Sequence, residues 1–143
     1  MHKLGGILSV TALGLLTGGM LLFPIMTLLI FTRLPLDVAG PFVRGCFPVY
    51  YAFMVGLSAF ACLGFVLRSM AKTAIIPGAV TLISLWAWVW LIPHLNTDLQ
   101  TGNHAAFAHG HTLSVWIDAI EFIVLLGLLS REGLRSARRF IAQ

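Results

Sequence analysis

Four apolar stretches separated by polar interruptions set the pattern of this chain. From Leu4 to Phe31 no charged residue occurs across 28 positions, more than the roughly 20 that an α-helix needs to cross the hydrocarbon of a bilayer. This apolar region is too long for a signal peptide, and no small-x-small cleavage site stands out, so a retained first span is expected over 5–31. Pro24 should bend its later third, while Gly14 and Gly18 form a GxxxG that would let another helix approach closely.

Thr32 to Gly40 breaks the pattern with Arg33, Pro35, Asp37 and Gly40, and reads as a connector. Gly40 is expected as N-cap and Pro41 as first helical residue of a second span over 41–67, kinked near Pro48 and closed by Arg68 and Lys72. A third span is expected over 74–92, with Thr73 as N-cap and Pro93 as stop. Trp86, Trp88 and Trp90 crowd one end of it, as an interfacial aromatic belt would. His94 to Gly110 is polar and reads as the long connector before a fourth span over 111–129 and a short, basic, amphipathic tail. The fold class is therefore all-α, a single domain over 1–143 in the form of a bundle of four transmembrane helices.

Composition agrees with that pattern. Of 143 residues, 59% are hydrophobic and 10% charged, whereas soluble proteins carry roughly a quarter charged residues. The solvent and first partner is the lipid bilayer, and a multi-pass protein of the cell membrane is expected. Nine basic residues give a net charge of +4, but they sit between spans and at the C-terminus, without the basic, aromatic-interleaved stripe that would imply nucleic acid. Arg131, Arg135, Arg138 and Arg139 suit anionic lipid headgroups instead. Lys3, Arg68, Lys72 and those four arginines put seven basic residues on one side of the spans, against Arg33 and Arg44 on the other. By the positive-inside rule both termini are cytoplasmic and the histidine-rich connector is external.

Cys46 and Cys62, if on one helix, stand about 24 Å apart and cannot pair within the chain. No GxSxG, Walker loop, HExxH or dinucleotide glycine pattern occurs. Ser114 has His111 one turn away but no evident oxyanion donor, so a non-enzymatic protein is the preferred reading.

The fourth span carries the most informative polar pattern. His111, Ser114, Asp118 and Glu121 are spaced i, i+3, i+7, i+10, which places them within an arc of about 80°. Asp118 would lie about 10 Å and Glu121 about 15 Å below His111. A carboxylate at that depth costs about 2.5–3.5 kcal/mol even on low-cost scales, so the stripe should face the bundle interior. On the second span Arg44, Tyr51, Ser58 and Cys62 share a face, and Arg44 or Tyr51 is the expected partner of Asp118. Two full negative charges one turn apart would repel, so Asp118 and Glu121 are not expected to carry both. Arg44 could equally extend to the headgroups.

His94, His104, His109 and His111 lie on the external side with Asp98 and invite a metal or haem reading. His109-Gly110-His111 is a loose HxH, however, and the spacings match no closed zinc signature, so no cofactor is expected.

Two segments resemble the transmembrane protein 205-like (DUF4149-type) family of four-helix membrane proteins. The first is Leu34-Pro35-Leu36-Asp37-Val38-Ala39-Gly40 leading to Phe47-Pro48-Val49-Tyr50-Tyr51. The second comprises Trp90-Leu91-Ile92-Pro93 and Phe107-x3-His111-x2-Ser114-x3-Asp118. The resemblance implies a four-helix membrane domain with no established activity to carry over. Asp118 stands where the family pattern has Asn, and His94 where it has Arg.

The preferred function is binding or conduction of an ion, proton or small ligand along the interior stripe, with a homo-oligomer as one expected form. A metal- or haem-binding redox protein using the outer histidines is the alternative, and an accessory subunit of a membrane complex is a third.

Overall fold

The computed structural model describes residues 2–141, with side chains described as far as residue 135. Helix α1 spans His2–Arg33 and α2 spans Leu36–Leu67. α3 spans Ala71–Trp86, runs through a π-helical turn at Ala87–Leu91, and continues as α4, Ile92–Gln100. α5 spans His104–Ile141. No strand occurs among the described residues. α1, α2, the α3–α4 run and α5 form four helical lengths, each long and apolar enough to cross a membrane. The chain is a multi-pass membrane protein.

α1 packs on α2, α2 on α3, α4 on α5 and α5 back on α1, closing a four-membered ring. Its outward faces carry large apolar side chains such as Ile7, Leu82, Val89 and Ile123 at 67–69% exposure. In water such a surface would be untenable, whereas in lipid it is the favoured solvent contact. The core runs through Leu13, Leu16, Met54, Phe65 and Leu125.

The connectors are shorter than the pattern of polar residues predicts. Instead of a loop from Thr32 to Gly40, the chain breaks only at Leu34 and Pro35. Proline disfavours helical geometry in the residue before it, and Pro35 itself serves as the N-cap of α2, its carbonyl accepting from Val38 and Ala39. Gly40 and Pro41 lie inside α2, and Asp37 in its first turn complements the helix dipole. Likewise α3 begins after Met70, not Thr73, because Ser69 adopts φ 59° and turns the chain early.

Pro93 does not stop the third span. A proline inside a helix removes one N–H and crowds the preceding turn. Here the turn before it is widened to π geometry, with Ile92 N–H donating to the Ala87 carbonyl, so the helix passes through to Gln100. The polar stretch His94–Gly110 is thus helical apart from Thr101, Gly102 and Asn103. Gly102 takes φ 75°, open to glycine at no cost, and Asn103 Oδ1 accepts from Ala106 N–H at 3.3 Å to cap α5.

Glycines fix the helix spacing at one place above all. A Cβ on Gly64 would stand 2.6 Å from Ser9 N, and one on Gly5 would stand 2.7 Å from the Gly64 carbonyl, so α1 and α2 cross in near backbone contact. Gly14 and Gly18, by contrast, are exposed with open space where a Cβ would go. Among the described residues nothing packs into that GxxxG.

Candidate functional site

One face of α5 organises the interior. Ser114, Glu121, Leu125, Leu128 and Glu132 are all buried, and Asp118 is half-buried, a spacing of i, i+4, i+7, i+11, i+14, i+18 that keeps one stripe inward over five turns. Of the polar stripe expected from His111 to Glu121, Ser114 and Glu121 are buried and Asp118 half-buried, while His111 is exposed. The stripe is interrupted by two leucines and resumes at Glu132.

The lower part of that stripe forms an ion cluster that the sequence reading missed. Arg68, at the end of α2, pairs with Glu132 Oε2 at 2.6 Å and donates to Ser9 Oγ at 3.0 Å, while Arg135 pairs with Glu132 Oε1 at 2.9 Å. The Glu132 side chain is 2% exposed and that of Arg68 13%. Three helices are joined beside the Gly5/Gly64 crossing. Glu132 lies in the basic tail past the fourth expected span, yet its spacing of 11 from Glu121 continues the inward face, the signal in the sequence that points to it. Arg138 and Arg139 lie outside the residues whose side chains are described.

At the opposite end the helices surround a partly open cavity of about 760 Å³. It lies between the later half of α1, the first half of α2, α4 and the first half of α5. His111, Ser114, Asp118 and Arg44 all line it, so four of the six stripe residues named from sequence come together around one space. Tyr51 and Glu121 do not line it. Tyr51 is 2% exposed within the core, and its neighbour Tyr50 takes the wall position instead. Tyr50 stacks on Phe23 with ring centroids 4.2 Å apart, and Phe47 packs against Phe23 at 5.5 Å, giving the cavity an aromatic side.

The polar groups at this end are sparsely paired. Ser114 Oγ donates to the His111 carbonyl at 2.8 Å, a bond within its own helix. Arg44, expected to pair with Asp118, has no carboxylate within ion-pair distance, since the ion pairs among the described residues are the two at Glu132. Its guanidinium lies beside Gly40, one turn nearer the helix end, as a side chain reaching for headgroups would. Asp118 makes no side-chain hydrogen bond to a described residue. Glu121 is 5% exposed, and its Oε1 is, with Ser84 Oγ, one of two buried side-chain atoms among the described residues that lack a hydrogen-bond partner. Ser58, on the same α2 face, is engaged elsewhere, accepting from Thr81 of α3 at 2.9 Å. Cys46 and Cys62 are free thiols on α2.

The histidines are not gathered. His94 packs tilted against Trp90 and bonds the Trp90 carbonyl through Nδ1 at 2.7 Å, next to a Trp86–Trp90 stack. His111 stacks on Phe107, while His104 and His109 are exposed. Among the described residues no three His, Cys, Asp or Glu side chains are grouped to hold a metal ion.

No curated protein and no solved structure matches this chain. Residues 11–104, from α1 to the first residue of α5, match a family model described as Domain of unknown function (DUF4149). The acids of the stripe, on α5, lie beyond the matched segment. The chain belongs to the DUF4149 family, a membrane-embedded member with four apolar helices.

Proposed function

We propose that this protein binds a small, largely apolar ligand in the cavity between α1, α2, α4 and α5, and is a TMEM205-like protein of the cell membrane with both termini cytoplasmic. The supporting observation is the cavity, about 760 Å³ in size, with apolar and aromatic walls and the unpaired Asp118 on its lining. That volume falls within the range of sites for small organic molecules, and few convergent polar groups on apolar walls are their usual make-up. A purely structural acid would be expected to find a hydrogen-bonded partner in the bundle, as Glu132 does. Conduction across the whole bundle gains no comparable support, because buried Leu125 and Leu128 fill the stripe between Glu121 and Glu132.

Ala119 also lines the cavity, so Ala119→Trp should fill part of it. Molecules extracted from the purified wild type should include a stoichiometric species, by mass spectrometry, that is lost from Ala119→Trp. Equal recovery from both proteins, or none from either, would refute the reading.

A further inference from the structure

The cavity has a closed side and an open side. Toward α2 and α4 its lining is sealed, with Val43, Tyr50, Ile92 and Leu95 at 5–8% exposure. Toward α1 and α5 the lining residues Leu21, Leu28 and Val115 are 53%, 65% and 53% exposed. All three lie within helices that cross the membrane, where an exposed apolar side chain meets lipid. α1 and α5 are ring neighbours. Lining residues on both helices thus also reach lipid, which makes the α1–α5 side the window through which a ligand from the bilayer would come.

The chemistry behind the window is acidic and aromatic. Asp118 lies about 10 Å along α5 from His111 and has no basic partner. One turn deeper, Glu121 is buried with Oε1 unpartnered. Arg44 and His111 are the basic residues on the lining: the Arg44 guanidinium lies back beside Gly40, and His111 stacks on Phe107 about 10 Å along α5 from Asp118. Phe23, Phe47, Tyr50 and Phe122 present rings to the same space. Aromatic faces attract cations, and a cation would neutralise a carboxylate in a setting where water cannot.

We propose that a lipid-dissolved amphiphile bearing a protonated amine enters this cavity sideways, between α1 and α5, and seats its cationic nitrogen against Asp118 with its chain on the apolar walls. This rests on the ligand-binding reading above and adds the ligand's head group and its route. A neutral head would leave the carboxylate without a counter-charge, and an anionic head would add repulsion from Asp118 and Glu121.

The test uses the full chain in phosphatidylcholine nanodiscs with three probes of equal chain length: dodecylamine, dodecanol and dodecanoate. Dodecylamine should bind at least about tenfold more tightly than either, the preference should vanish in Asp118→Asn, and Asp118→Glu should retain it. The Leu28→Trp/Val115→Trp double variant should slow dodecylamine association at least about tenfold, because bulk is added at the window itself. Folding of each variant is checked by its helical circular dichroism and melting. Dodecanol binding as well as dodecylamine, or a preference that survives in Asp118→Asn, overturns the head-group assignment while leaving a ligand cavity standing. Unchanged association in the window variant overturns the lateral route. Binding of none of the three would bring down this proposal, and co-extraction of a non-amine ligand would then show that the cavity reading outlives it.

Discussion

The two ends of the bundle solve the problem of charge in a membrane differently. At the end holding Arg68, Glu132 and Arg135, every described acid is paired, the helices cross at glycines, and the carboxylate is 2% exposed. At the end holding His94 to His111, the helices stand apart around a cavity, and Asp118 and Arg44 line it without touching. The first arrangement is what holding helices together demands: matched charge, short distance, no void. The second leaves polar groups without partners and space unfilled, both of which cost stability. A bundle that closes one end so tightly has the means to close the other, so the open end is where a ligand is to be sought.

The sharpest way to break this contrast is to remove the pairing. Glu132→Ala should cost about 3–5 kcal/mol, since Arg68 loses its buried counter-charge. Unfolding in mild detergent measures it, and adding Arg68→Leu should restore part of the loss because the orphan is then gone. A cost under about 1 kcal/mol would mean the cluster is ornamental. Next in size, Gly64→Val should cost about 1–3 kcal/mol or more by forcing α1 and α2 apart, where Gly14→Val on the open face of α1 should cost far less. Similar losses for the two glycines would show that the crossing is not where the helices are held.

How much of this was legible in the residues depends on which forces decide each feature. The spans were legible because lipid imposes length and apolarity directly on sequence. The inward stripe was legible because helical spacing is arithmetic. The connectors are less legible because polar composition does not by itself mean loop: Asn96, Thr97 and Asp98 sit in the helix α4. Pro93 was misjudged because a stop depends on whether the preceding turn can widen, a tertiary matter. The partner of Asp118 was misjudged because matching depth along two helices does not bring two side chains together: the bundle separates α2 from α5 there by the cavity itself. Glu132 does not stand out in the sequence because it lies past the fourth expected span, between Arg131 and Arg135 of the basic tail.

That correction reverses one expectation. Had Asp118 been paired, Asp118→Leu would orphan a cation. With no ion pair to break, the substitution should change stability by less than about 1.5 kcal/mol, while abolishing any preference for a cationic ligand. Comparing its unfolding with that of Glu132→Leu sharpens the contrast between the ends most directly, and equal damage from both would show that Asp118 is structural after all. Glu121→Gln should also keep the fold, since an amide fits the same buried space and its Oε1 has no partner to lose.

The smallest effect on stability, and the one that decides which way the two ends face, comes from labelling. His104 is exposed at the first residue of α5, next to the Gly102–Asn103 turn. His104→Cys, in a Cys46→Ser/Cys62→Ser background, should therefore leave the melt unchanged. Seven basic residues flank the opposite end of the spans and two flank this one, and by the positive-inside rule the more basic side is the one expected in the cytoplasm. A membrane-impermeant maleimide added to intact cells should then label His104→Cys at once and leave Lys72→Cys unlabelled until the membrane is opened. The reverse order would turn the bundle over, placing the paired arginine end outside and the cavity end toward the cytoplasm.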